Sequence, residues 1–133
     1  MCIRDSPVAA AAALATLDQI EALDVPGNAA RVGAHFQARV RPFVDRFSFV
    51  GDVRGMGLML GIEMVADKAT RTTLPRGNPI AAKVAQAAYR RGLMVRISGP
   101  NLILSPPLVI TREEVDYMVD ALEGAFADVE ATL

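Results

Sequence analysis

Between Pro7 and Leu23 the chain reads PVAAAAALATLDQIEAL, with Leu14, Leu17 and Ile20 recurring every third residue in an alanine-rich run. This pattern predicts a helix, because alanine carries the best helix propensity and proline suits a first turn whose amides lack partners anyway. Asp24-Val25-Pro26-Gly27-Asn28 reads as the turn that ends it. Asn28 is the expected cap of a second helix with the apolar row Val32, Phe36, Val40 and Val44, and Pro42 bends or shortens its last turns.

The next stretch, FSFVGDVRGMGLMLGIEMVADK, mixes β-branched and long apolar residues with Gly51, Gly55, Gly57 and Gly61. It predicts two strands, about 48–53 and 57–65, with glycines at the bend. Lys68 to Arg76 is polar and expected to be an exposed loop. Asn78 then caps a helix with Pro79 at its first position, carrying Ile80, Val84 and Ala88 inward and closing on Arg90-Arg91-Gly92. LMVRI alternates, placing Leu93, Val95 and Ile97 on one side and Met94 and Arg96 on the other. Ser98-Gly99-Pro100-Asn101 turns it into LILS, a hairpin that Pro106-Pro107 stops. Thr111 and Glu114 form a capping box for a last helix with Val115, Met118, Val119, Leu122, Phe126 and Val129 on one face. The order helix, helix, two strands, helix, two strands, helix predicts an α+β fold, with helices covering one side of a mainly antiparallel sheet.

Composition narrows the reading. At 133 residues, 52% hydrophobic and 5% aromatic with no Trp, the chain supports one core filled by aliphatic side chains. Fourteen basic and fifteen acidic residues give a net charge of −1 with no basic face, which argues against nucleic-acid binding. The alanine-rich run is too short to cross a bilayer and lacks a signal peptide's basic start, so no membrane partner is expected and the protein reads as cytoplasmic. One cysteine forms no internal disulfide, and one distant histidine makes no metal site with it.

GMGLMLG superficially resembles a phosphate loop, but a strand follows it where a helix N-terminus is needed. Its glycines are better explained by a tight bend. His35 has no acid at triad-like or metal-like spacing and reads as a structural, partly exposed histidine. Glu113, Glu114, Asp116 and Asp120 read as the solvated face of the last helix, and Glu63 as a solvent-facing strand residue. Arg96 stands out. Emerging mid-strand between Val95 and Ile97, its planar fork could hold a carboxylate in a bidentate pair, although a surface ion pair is the plainer role. No set of residues supplies a nucleophile, a base and a stabilising donor together, so the residues alone leave a small α+β domain and no reaction.

Taken in order, several motifs resemble the C-terminal part of class III pyridoxal-phosphate-dependent aminotransferases: PVAAAAALATLD, VGDVRGMGLMLGIEMV, RRGLMVR and SPPLVITREEVDYMVDAL. The resemblance runs from Pro7 nearly to Leu133. It implies a fold type I enzyme, of which residues 7–133 would be an interdomain helix plus the C-terminal portion of the small domain. The lysine that binds pyridoxal 5'-phosphate, and the acid paired with its ring nitrogen, would lie upstream. No catalytic, cofactor-binding or metal-binding residue is therefore expected here, and the chain alone would be inactive. The intact enzyme would be a homodimer moving an amino group from an ω-amino acid or amine to a keto acid such as pyruvate. In that branch an arginine similar in position to Arg96 binds the substrate carboxylate or swings away for an uncharged amine. In the ornithine-type branch the corresponding arginine lies just before the Pro-Pro, where this sequence has Ile103. A decarboxylase or aminomutase on the same scaffold, and a free-standing α+β ligand-binding or interaction module, stay open. The isolated chain is expected to aggregate through its first helix and the sheet face that would meet the large domain.

Residues 1–6, Met-Cys-Ile-Arg-Asp-Ser, share nothing with the run that follows. Reverse translation permits ATG-TGT-ATA-AGA-GAC, which resembles a transposase-end sequencing adapter, so these residues are expected to be an artefact. The family resemblance implies Thr-Tyr-Ser-Gly-His immediately before the proline, the threonine being a cofactor-phosphate contact. On that reading Cys2 has no function.

Overall fold

The computed structural model describes residues 6–133. Of the expected artefact, residues 1–5 lie outside the described residues, while Ser6 begins the first helix as its N-cap, its Oγ accepting from the Ala9 amide at 3.4 Å. Helix α1 spans Pro7–Ala22 and buries none of its residues. Asp24 then takes a left-handed φ of 45°, reversing the chain directly into α2, Val25–Val40. The expected cap at Asn28 is corrected here. Pro26 brings a φ already suited to a first helical turn, so α2 begins four residues earlier than expected, with Asp24 at the N-cap position. The Asn28 amide instead donates to the carbonyls of Leu108 (2.8 Å) and Ile110 (3.1 Å), tying α2 to the loop before the last helix.

Pro42 ends the regular helix as expected, leaving the one-turn α3 at Phe43–Arg46. Strands β1 (Val50–Met56) and β2 (Met59–Asp67) form an antiparallel hairpin about two residues later than predicted. Gly57, at φ 56°, turns it, and a register shift between Val50 and Asp52 lets both Val50 and Val53 point inward. The expected exposed loop after β2 contains the short β3, Thr72–Thr73, paired with β2. Asn78 accepts from the Ile80 amide at 2.9 Å at the start of α4, Ile80–Arg90, and Gly92 at φ 80° follows its end.

The predicted strand over LMVRI is shorter than expected. Only β4, Arg96–Ser98, pairs with β5, Asn101–Leu104. Leu93 is buried and Val95 partly so, but Ile97, on the sheet's end strand, stays 40% exposed. The capping box is present as predicted at the start of α5, Arg112–Glu130.

The sheet order is β1-β2-β5-β4, antiparallel at each pairing, with β3 joined to β2. One face carries Leu60, Ile62, Met64, Leu102 and Leu104, all essentially buried against α2, α4 and α5. Phe43, Phe47, Phe49 and Phe126 close one end of that core, with Phe49 stacked on Phe126 at a centroid distance of 5.5 Å. The α+β reading is therefore correct, and among the described residues no helix covers the opposite sheet face.

Candidate functional site

Pleating places alternate residues of each strand on the uncovered face, and register then assembles them into rows. One row is Arg96, Ile103, Gly61 and Arg54; the next is Ser98, Asn101, Glu63 and Asp52. Two arginines thus stand at opposite ends of one row. Their electrostatic states differ.

Arg54 donates from Nη1 to Glu63 Oε2 at 2.6 Å and to Asp52 Oδ2 at 2.9 Å. Its guanidinium is held above its ordinary pKa, first by the hydrogen bond it donates to Glu63 and then by the one it donates to Asp52. Glu63 is therefore half-buried and paired, rather than simply facing solvent as the sequence suggested. Arg96 is exposed, and among the described residues no carboxylate lies within 4.0 Å of it. The ion-pair role thus finds no partner here. What lies beside Arg96 is apolar: Ile103 directly opposite, then Gly61. Gly61 and Ile103 line one side of an open apolar groove of about 640 Å³ that reaches Met56 and Met59 at the β1–β2 turn and Leu108 beyond.

Glycine-run geometry excludes a phosphate loop. Met56 and Met59 are cross-strand partners, so GMGLMLG is a hairpin and no helix follows it. Gly33 on α2 approaches Gly57 so closely that a Cβ there would come within 2.3 Å of the Gly57 carbonyl carbon. Gln37 Nε2 donates to the Gly57 carbonyl at 3.1 Å, fixing the turn on α2. The hairpin, and with it the groove wall, is held by a contact only glycine permits.

A second polar cluster was not legible as a pair. His35 Nε2 lies 2.6 Å from Asp116 Oδ1, Arg39 Nη1 donates to the same oxygen at 2.5 Å, and Arg39 Nη2 donates to Asp120 at 2.7 Å. The hydrogen bond with His35 is the main reason the Asp116 carboxyl sits below its ordinary range, with the charges of Arg39 and Arg112 adding to it. Both Asp116 and Asp120 therefore clasp α5 to α2 instead of forming a bare solvated face. The four-residue spacings 35/39 and 116/120 put each pair on one helical face and were the available signal. Their meeting depended on the packing of the two helices.

Among the described residues, no group of three or more His, Cys, Asp or Glu side chains could hold a metal ion. No described helix is long and apolar enough to cross a membrane. Of the two lysines, Lys68 gives its ammonium to the Val44 carbonyl, and Lys83 is exposed on α4. Neither lysine is an amine committed to the row of Arg96.

A sequence model of the family described as aminotransferase class-III matches residues 5–126. An aminotransferase of Sinorhizobium fredii is 43% identical over 125 residues, covering 92% of this chain and 27% of that protein. A leucine/methionine racemase of Thermococcus litoralis is 40% identical, covering 94% of this chain and 28% of that protein. Among solved structures, an amine transaminase from an uncultivated Pseudomonas species, in its pyridoxal-phosphate-bound internal-aldimine form, superposes with a TM-score of 0.89. It is 50% identical, and the match covers 92% of this chain and 28% of that one. The chain belongs to the class III aminotransferase family, and spans a little over a quarter of the length of these relatives.

Proposed function

We propose that this chain is the C-terminal small-domain portion of a pyridoxal-phosphate-dependent transaminase, residues 7–133 being its interdomain helix and sheet. The reaction would move an amino group from an ω-amino acid or amine to a keto acid such as pyruvate. Arg96 would be the residue that binds the substrate carboxylate. The observation that carries this is an exposed guanidinium with no carboxylate beside it among the described residues, standing next to apolar Ile103 on an uncovered sheet face. Such a group is free to accept a ligand's carboxylate in a bidentate pair, and equally free to move aside for an uncharged amine.

Pyridoxal phosphate would supply the electron sink for bond cleavage at the amino-bearing carbon. The residues present do not fit that group: Lys68 is already bonded to a backbone carbonyl and Lys83 faces solvent. No chemical step is therefore assigned to this chain's own side chains beyond holding the carboxylate. The lysine that carries the cofactor would belong to polypeptide outside this sequence, and the intact enzyme would act as a homodimer. Expression of the coding sequence joined to its upstream domain should give a protein with cofactor absorbance that forms alanine from pyruvate and an amine. A folded full-length protein without cofactor absorbance would overturn the reading.

The racemase relative favours a second reading, in which the same scaffold would invert the configuration of an amino acid with no transfer of its amino group to an acceptor. Loss of optical rotation with no alanine formed would select it.

A further inference from the structure

Helix α1 joins the rest of the molecule without a linker. The Asp24 amide donates to the Glu21 carbonyl at 3.1 Å, ending α1, and the Asp24 carbonyl accepts from the Asn28 amide at 2.8 Å, opening α2. One residue therefore makes the corner, at φ 45° and ψ 49°. A left-handed backbone is disfavoured for any residue with a Cβ, and glycine is its usual occupant. Gly57, Gly77, Gly92 and Gly99 fill that role elsewhere, whereas Asp24 brings a side chain to it.

That side chain is engaged, though not as a cap. The Asp24 carboxylate accepts no hydrogen bond from the first amides of α2. Its Oδ2 accepts instead from Arg31 Nη1 at 2.9 Å, seven residues along the chain. On the way the carboxylate crosses Gly27, where a Cβ would come within 2.1 Å of Oδ2 and 2.5 Å of Oδ1. Gly27 lies in the first turn of α2 without a positive φ, a place where glycine weakens a helix relative to alanine, so the carboxylate above it is the reason for its missing side chain.

The corner matters because the body is anchored and α1 is not. Asn28 ties α2 to the carbonyls of Leu108 and Ile110, Gly33 sits against Gly57, and His35 and Arg39 hold Asp116. Helix α1 buries none of its residues, and the side-chain hydrogen bonds at Ser6 and Thr16 stay within it. An exposed pair such as Asp24 with Arg31 contributes little stability, so stability accounts for neither the pair nor the disfavoured backbone.

We infer that Asp24 is a positioning residue: its left-handed corner, with the carboxylate laid over Gly27 onto Arg31, fixes the angle at which α1 leaves the α+β body. The corner is a property of this chain alone. Its consequence rests on the reading of α1 as an interdomain helix, since the polypeptide that precedes α1 would then be held in one direction relative to the sheet that carries Arg96.

Strain retained for positioning makes stability and rigidity move in opposite directions when it is relieved. The test attaches nitroxide labels to Ala15→Cys on α1 and Lys83→Cys on α4, both exposed, in the 133-residue chain with Cys2→Ser. Excess unlabelled chain is added so that pulsed EPR reads only distances within one molecule. Asp24→Gly, which relieves the backbone and removes the pair, should at least about double the width of the distance distribution while leaving Tm unchanged or raising it by up to about 5 °C. Gly27→Ala keeps Asp24 but fills the space its carboxylate crosses, and should broaden the distribution despite alanine's better helix propensity. An unchanged width in either variant overturns the inference. A fall in Tm with Asp24→Gly also overturns it, by making Asp24 a residue kept for stability. Cofactor absorbance of the full-length protein decides the transaminase reading and plays no part in these distances, so the two ideas fail separately.

Discussion

Arg96 on β4 and Ile103 on β5 are direct cross-strand partners on the uncovered face of the sheet. The two positions that distinguish the branches of the resembled family are therefore neighbours about 5 Å apart, and not distant alternatives. Arg96→Ala is expected to raise KM for carboxylate-bearing substrates by roughly 10–100-fold in the full-length enzyme, the loss of a charge-assisted pair, with little change for an uncharged amine in the half-reaction. Adding Ile103→Arg to that variant returns a guanidinium to the same face and should recover part of the carboxylate preference. Steady-state kinetics with charged and uncharged donors check both outcomes; an Arg96→Ala enzyme with unchanged KM for every carboxylate would remove the assignment.

The seat of the hairpin turn on α2 gives a stability prediction. A Cβ at Gly33 would meet the Gly57 carbonyl carbon at 2.3 Å, and backbone cannot yield as a side chain tip can. Gly33→Ala should therefore destabilise the fold by about 1–3 kcal/mol, despite alanine's better helix propensity, through overpacking. Urea denaturation measures it, and an increase in midpoint would contradict the close approach.

Acid stability follows from the two clasps on α5. Asp116 is held below its ordinary value of 3.8, first by the hydrogen bond from His35, and Asp128 likewise by Arg91. Because both carboxyls are depressed in the folded state, the unfolded chain binds more protons on the acid side. Their stabilisation is full above the ordinary carboxylate range and is lost as pH falls through the lower folded values. Asp116→Asn with Asp128→Asn should flatten the fall of Tm below about pH 4 relative to the parent chain. Thermal melts across that range supply the comparison, and identical acid limbs would show that neither clasp contributes.

Helix α1 buries none of its residues, and Leu14 and Leu17 are more than half exposed. Deleting residues 7–22 should leave the rest of the core intact, with Tm shifted by no more than about 4 °C, while reducing self-association of the isolated chain. Size-exclusion chromatography and a melt decide it. Collapse of the truncated chain would mean that α1 supports the fold in a way its exposure does not indicate.

Much of the fold was legible because its signals are local. The capping box of Thr111 and Glu114, the alternation in LILS, the glycine hairpin and the apolar stripe of α5 each depend on residues a few positions apart. The misplaced features were decided by competition. Asn28 has the chemistry of a cap, but Pro26 starts α2 earlier and leaves the Asn28 amide to distant carbonyls. Leu93 to Val95 alternate like a strand, yet only Arg96–Ser98 find a partner in β5.

The sequence by itself determined the order of the main elements, though not the short α3 and β3, most of the inward faces and the choice of Arg96 as a candidate, because helical and strand periodicities are written residue by residue. Only the tertiary structure decided that Arg96, Ile103 and Gly61 form one row, that Arg54 is neutralised while Arg96 is not, and that His35 meets Asp116. Register and helix packing join residues from separate segments, and those pairings minimise the energy of the whole core instead of any one stretch of chain.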